Sequence, residues 1–260
     1  MPSTRSADGT TISYDQAGIG PAIIFVSGAF NLRDTCAPLA AALAPDHTVI
    51  TYDRRGRGRS TDTSPYAIER EVDDLRALMA VAGGAASVFG YSSGATLALK
   101  AVADGLAVDR LFLYEPPFRF ENSQPSPPAD LPARLQGLLE ADRPGDVVAT
   151  FQIEGIGLPE ETVRHLRLSP MWPHLEALAQ SVVYDATITG ILQTPTAEMT
   201  AVSTPTLILQ GERTWPFLQA AAAHLTDQLP NATLSVLAGA GHDIDAAGTA
   251  AEIRHFERYG

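Results

Sequence analysis

Ser87-Val88-Phe89-Gly90-Tyr91-Ser92-Ser93-Gly94-Ala95 carries more structural information than any other segment of this chain. A short apolar run leads into Gly-x-Ser-x-Gly, and Ala95-Thr96-Leu97-Ala98-Leu99-Lys100 continues as a helix. A serine hydroxyl is a weak nucleophile until a sharp turn lifts it clear of the backbone and a neighbouring base takes its proton. Glycines two residues before and two after Ser92 leave room for such a turn, because they have no Cβ to clash. Strand, turn and helix in this order form the context that a nucleophile elbow requires. A simpler reading of the same residues is a Ser/Gly turn with Ser92 or Ser93 as a helix N-cap. The rest of the chain favours the elbow.

Strand signals flank this segment on both sides. Thr10 to Asp15 reads as a strand of an N-terminal hairpin turning at Asp8-Gly9. Ala22-Ile23-Ile24-Phe25-Val26 is a near-continuous apolar run of the kind found in strands covered on both faces. Thr48 to Tyr52, Arg110 to Tyr114, Thr206 to Leu209 and Thr233 to Leu237 are further strands. Helices are expected over Asp34–Ala44, Glu69–Ala82, Phe217–Gln228 and Ala247–Tyr259. In Glu69–Ala82, apolar Val72, Leu75, Leu78, Met79 and Ala82 share one face, with charges expected on the other. Glu121 to Pro132 is rich in Pro and Ser and reads as a linker. From Leu131 to about Met199 the pattern is helical, broken by prolines. The alternation implies an α/β fold with a mostly parallel sheet and helices on both faces. Residues 1–117 and 201–260 are expected to form the core, and residues 118–200 an inserted helical cap or lid.

At 260 residues the chain is long enough to bury a substantial core. It is 45 % hydrophobic, yet no stretch approaches the about 20 uninterrupted apolar residues of a membrane helix. No apolar signal-peptide region is evident near Met1, and a lone Cys36 excludes an intrachain disulfide or a cysteine-based zinc site. A cytoplasmic protein is expected, a monomer or homodimer with a small-molecule substrate and no membrane partner. A net charge of −12 argues against a general nucleic-acid binder, which needs clustered Lys and Arg. The basic run Asp53-Arg54-Arg55-Gly56-Arg57-Gly58-Arg59-Ser60 is expected to be a loop whose arginines pair with the acidic surface, an anion site being the alternative.

Taken together, these residues resemble the α/β-hydrolase superfamily. The resemblance rests on Ser27-Gly28-Ala29-Phe30, the Tyr52–Ser60 loop, Gly90-Tyr91-Ser92-Ser93-Gly94 and Gly241-His242, in the expected order. Residues 118–200 match no motif. The resemblance implies an α/β-hydrolase fold, with Ser92 as nucleophile and His242 as the base that deprotonates it and later protonates the leaving group. It implies an oxyanion hole from the backbone N–H groups of Ser93 and Ala29, although Ser27-Gly28 stands where the superfamily often has His-Gly. The acid departs from the common pattern. In Gly211-Glu212-Arg213-Thr214-Trp215-Pro216, Thr214 stands where an Asp is expected, and Thr cannot carry the charge. Some superfamily members, the haloalkane dehalogenases among them, place the acid at the end of the preceding strand. That position is Glu115, at the sheet's carboxyl edge where catalytic groups gather. Asp185, Glu212 and Asp243 are weaker candidates. Phe30, Tyr91, Trp172, Trp215 and Phe217 are candidates for the pocket wall, and Asp185 for a cap residue facing substrate.

The chemistry implied is hydrolysis of a small carboxylic ester, lactone or thioester. A serine nucleophile argues against dehalogenation and epoxide hydrolysis, which use Asp there in this superfamily. No metal or organic cofactor is implied, since the catalytic positions contain no cluster with metal-ligand spacing. A lyase or cyclase on the same scaffold, or a non-catalytic ligand-binding member, are the competing readings, because fold does not fix function.

Overall fold

The computed structural model describes residues 2–120 and 126–260. Among them, eight strands form one sheet: β1 (Ser3–Arg5), β2 (Thr11–Ala17), β3 (Ala22–Val26), β4 (Thr48–Tyr52), β5 (Ser87–Tyr91), β6 (Leu111–Tyr114), β7 (Thr206–Gly211) and β8 (Ala232–Leu237). Their spatial order is β1-β2-β4-β3-β5-β6-β7-β8. β1 and β2 pair antiparallel, β2 joins β4 antiparallel, and every pair from β4 to β8 is parallel. From β3 the chain steps to β4 on one side, whereas β5 lies on the other. The carboxyl ends of β3 and β5 therefore diverge into a crevice, the place where open parallel sheets bind ligands.

The helices are α1 (Ala37–Leu43), α2 (Ile68–Val81), α3 (Ser93–Ala103), α4 (Leu131–Glu140), α5 (Pro144–Thr150), α6 (Glu160–Arg167), α7 (Trp172–Glu176), α8 (Ala179–Ile191), α9 (Ala197–Thr200), α10 (Pro216–Gln228) and α11 (Ala246–Tyr259). Strand alternation divides the core between the two faces of the sheet. Ile24 and Val26 of β3 pack with Val72 and Leu75 of α2, Leu97 of α3 and Leu225 of α10. Ile23 and Phe25 point the other way, to Leu39 and Leu43 of α1 and Ile253 and Phe256 of α11. Both faces of β5 and β6 are covered, which explains why these strands read as continuous apolar runs. No helix of the described residues is long and apolar enough to cross a membrane.

An all-helical stretch, α4 to α9, enters the chain between β6 and β7. Leu135, Val148, Phe151, Val163 and Val182 form a separate hydrophobic cluster there, against which Ala29, Phe30 and Tyr66 pack from below. The end of α8 and α9 belongs elsewhere, because Ile188, Leu192 and Met199 join the main core beside α3. Of the expected linker, residues 121–125 lie outside the described residues, and α4 begins at Leu131.

Two expectations about charge are corrected. Arg54, Arg55 and Arg57 do not pair with the surface; each is about 1–2 % exposed. Nor are the charges of α2 all on its outer face, since Glu71 and Asp74 are each 1 % exposed. The two departures explain each other. Arg54 is held by Glu71 through paired hydrogen bonds of 2.7 Å, and Arg55 by Asp74 at 2.9 and 2.8 Å and by Asp8 at 2.9 Å. Guanidinium groups enter a protein interior when a carboxylate fork meets them there.

Candidate active site

The elbow follows from close backbone approach. β5 delivers the chain to Ser92, whose N–H still donates to Tyr114 O at 2.9 Å. Ser92 then takes φ 55° and ψ −124°, a left-handed conformation that costs about 1–3 kcal/mol and is held by the packing around it. A Cβ on Gly90 would lie 2.5 Å from Ala95 Cα, and one on Gly94 would lie 2.2 Å from Val26 O. Both positions therefore exclude any larger residue. The N–H of Ser93 opens α3, so it lies among the helix-start donors that lack an intrahelical acceptor.

His242 lies on the loop between β8 and α11, and sheet tyrosines tie that loop down. Tyr91 Oη donates to His242 O at 3.2 Å, and Tyr114 Oη donates to Asp243 O at 3.0 Å. Burial pushes both phenols above their ordinary pKa, so they remain donors throughout the neutral range. The imidazole is sandwiched by aromatics: Trp215 stacks on it at 5.1 Å between ring centres, and Tyr91 lies at 5.2 Å.

Glu115 is 0 % exposed and turns off the end of β6 with φ 49°. Its carboxylate takes three hydrogen bonds: Gly211 N–H at 2.7 Å on Oε1, and Thr214 Oγ1 at 2.8 Å and His242 Nδ1 at 2.5 Å on Oε2. A carboxylate oxygen only accepts, so the tautomer that satisfies this contact has its proton on His242 Nδ1 and leaves the Nε2 lone pair open. Ser92 and His242 line one cavity of about 240 Å³. Half-buried Ser92 and His242 and fully buried Glu115 thus stand at the carboxyl ends of β5, β8 and β6, where side chains from distant parts of the sequence converge.

The other acid candidates go elsewhere. Glu212 Oε2 accepts from Gly239 N–H at 2.7 Å, whereas the His242 Nδ1 contact is taken by Glu115. Asp243 reaches the site through its backbone carbonyl. Asp185 lies on α8 as expected, but it does not face the cavity. It is 0 % exposed and binds Arg54 Nη1 and Arg57 Nη2, each at 2.6 Å. Glu71 balances only one of the two guanidinium charges beneath it, and the remaining positive charge draws the Asp185 carboxylate inward, away from the cavity.

Phe30, Tyr91, Trp215 and Phe217 line the cavity, together with Ala29 and Ser93. Trp172 does not. It packs within the helical cluster between β6 and β7, donates Nε1–H to Glu176 at 2.8 Å, and lies under the Arg167 guanidinium. Its indole N–H needs a partner when buried, and Glu176 one turn later supplies it. Sequence reasoning missed Asn31, Phe151 and Arg119 on the cavity wall. Asn31 sits just after the expected oxyanion loop, so its position was a signal. Phe151 and Arg119 belong to the stretch without motifs.

The Alpha/beta hydrolase family model matches residues 23–252. An alpha/beta hydrolase of known structure from Sphaerobacter thermophilus is 43 % identical, with a TM-score of 0.92 over 98 % of this chain and 100 % of that one. An esterase from Exiguobacterium antarcticum shares the fold at 18 % identity, with a TM-score of 0.73 over 98 % of each chain. The uncharacterized hydrolase YraK of Bacillus subtilis is 39 % identical over 100 residues, 37 % of each protein. The polyketide synthase ThaQ of Burkholderia thailandensis is 27 % identical over 239 residues, 88 % of this chain and 11 % of that protein. These matches span 37 % and 11 % of the two curated relatives. On the family match over most of its length, the chain belongs to the alpha/beta hydrolase family.

Proposed function

We propose that this protein is a serine hydrolase that cleaves a small carboxylic ester, lactone or thioester through an acyl-enzyme on Ser92. The observation that carries this reading is the 2.5 Å contact between His242 Nδ1 and the buried Glu115 carboxylate, beside the cavity that Ser92 lines. Ser92 Oγ attacks the carbonyl carbon while His242 Nε2 takes its proton. The carbonyl oxygen becomes an oxyanion facing the N–H groups of Ala29 and Ser93. Collapse expels the alcohol or thiol, which receives the proton from His242 and leaves the acyl group on Ser92. Water then attacks the acyl carbon, giving one proton to His242, and the second collapse returns that proton to Ser92 Oγ and frees the acid. Glu115 holds the imidazole in the required tautomer and stabilises the imidazolium.

The cavity walls fit a small, largely apolar acyl or alcohol group, with Phe30, Phe151, Trp215 and Phe217 around the reacting centre. The helices between β6 and β7 act as a cap that closes one side of it. Turnover of p-nitrophenyl esters, γ-lactones and acyl thioesters by wild type, lost in both Ser92→Ala and His242→Ala, is the expected result. Equal turnover in Ser92→Ala would overturn the reading.

A further inference from the structure

Beneath the cavity lies a closed set of buried charges that the mechanism does not use. Arg54 and Arg57 from the loop after β4, Glu71 from α2 and Asp185 from α8 are each at most 2 % exposed. Glu71 holds Arg54, and Asp185 holds both arginines through separate oxygens. Further hydrogen bonds lead out of this set, among them three toward the loop after β3 and the start of α3. Arg57 Nη1 donates to Gly28 O at 2.5 Å and to Asn31 O at 3.0 Å. Ser93 Oγ donates to Asp185 Oδ1 at 2.8 Å.

Two of these, at Gly28 O and at Ser93 Oγ, end on the peptide group and the residue that would supply the oxyanion hole. The Gly28 carbonyl and the Ala29 N–H belong to one peptide group. In a planar trans peptide they point to opposite sides, so fixing the carbonyl fixes the direction of the N–H. That peptide lies directly against the nucleophile, since a Cβ on Gly28 would be 2.9 Å from Ser92 Cβ. A charged donor on the carbonyl also polarises the peptide and strengthens its N–H as a donor. Ser93 is tethered by its side chain while its own N–H is the second donor. Oxyanion stabilisation depends on donors already in place when charge develops, because moving them then would consume the gain.

We propose that Asp185 is a positioning residue for the oxyanion hole: from the cap helix α8 it fixes the Ala29 N–H through Arg57 and the Ser93 N–H through the Ser93 hydroxyl. The cap then does more than shape the cavity. Its α8 helix holds the catalytic donors in register, and docking of α8 and readiness of the oxyanion hole become one event. Tyr184, one residue earlier on α8, reinforces the docking by stacking on Tyr66 at 3.8 Å and donating to Asp62. The proposal rests on the serine-hydrolase reading.

The test compares wild type, Asp185→Asn, Arg57→Lys and Ser93→Ala with a p-nitrophenyl ester. Each is also titrated with a trifluoromethyl ketone, whose serine adduct places an oxyanion in the hole, and with the corresponding methyl ketone. Asp185→Asn should lower kcat about tenfold to a hundredfold with KM nearly unchanged, less than the full loss of an oxyanion donor. Affinity for the trifluoromethyl ketone should fall by the same factor, and affinity for the methyl ketone should not. Asp185→Asn leaves two buried guanidinium groups facing a neutral amide and is at risk of unfolding. Ser93→Ala keeps the N–H and loses only the tether, so a fall of about three- to tenfold in kcat at constant KM carries the proposal on its own. Folded variants with unchanged kcat, or with raised KM and unchanged kcat, overturn it and leave the hydrolase reading intact. A wild type that turns over no ester and binds no trifluoromethyl ketone overturns both.

Discussion

Thr214 Oγ1 lies 2.8 Å from Glu115 Oε2, the same oxygen that accepts from His242 Nδ1. The residue that stands where an acid is expected therefore donates to Glu115, the carboxylate proposed in its place. Two carboxylates there would repel each other across a buried gap.

This pairing makes a reciprocal prediction. Thr214→Val should lower kcat about tenfold, the worth of one lost hydrogen bond to a charged group. Thr214→Asp should lose far more, because it sets a second carboxylate against Glu115. Adding Glu115→Gln to Thr214→Asp should restore part of that loss, since a single carboxylate again faces His242. Steady-state kinetics of the three variants decides it, and a double variant slower than Thr214→Asp would contradict the pairing.

Glu115→Gln alone should cut kcat by at least about a hundredfold while KM stays within about twofold, because the amide permits the wrong imidazole tautomer. An unchanged kcat in a folded protein would remove Glu115 from the mechanism.

Gly94→Ala tests the elbow through stability. Its new Cβ would meet Val26 O at 2.2 Å, backbone that cannot yield without moving β3. Urea unfolding should show a loss of about 1–3 kcal/mol, as for other overpacked sites, together with a fall in activity. A variant as stable as wild type would place the helix α3 farther from β3 than the structure does.

Glu71 makes a pH prediction. Burial acts to raise its pKa, but the Arg54 charge and hydrogen bonds outweigh burial and hold it below the ordinary carboxylate range. A depressed carboxylate stabilises the fold above its unfolded pKa of about 4.3 and ceases to do so as pH falls through the lower folded value. Glu71→Gln should therefore be less stable than wild type at pH 7, and the difference should shrink as pH drops below about 4. A difference that is constant between pH 7 and pH 3 would contradict this sign.

Much of the site is legible in sequence because it depends on backbone geometry. Gly90 and Gly94 mark the elbow through absent side chains, and Gly241-His242 marks a loop after a strand. Glu115 is visible because a charge directly after four apolar strand residues must sit at a sheet edge. The arginines were misread for a physical reason. Arg54 and Arg57 look like solvated charges unless carboxylates wait inside, and their partners Glu71 and Asp185 come from 17 and 128 to 131 residues away. A signal did exist on α2, where Glu71 and Asp74 flank Val72 and Leu75 on the inward stripe. Trp172 illustrates the opposite case, since this aromatic between β6 and β7 satisfies its N–H locally on Glu176 and needs no substrate.

The central claim is that Ser92 is an activated nucleophile. Intact mass after incubation with a fluorophosphonate, on wild type and Ser92→Ala, tests it most directly. The account predicts one stoichiometric adduct on wild type and none on the variant. A folded wild type that stays unlabelled, or an adduct that persists in Ser92→Ala, would contradict it.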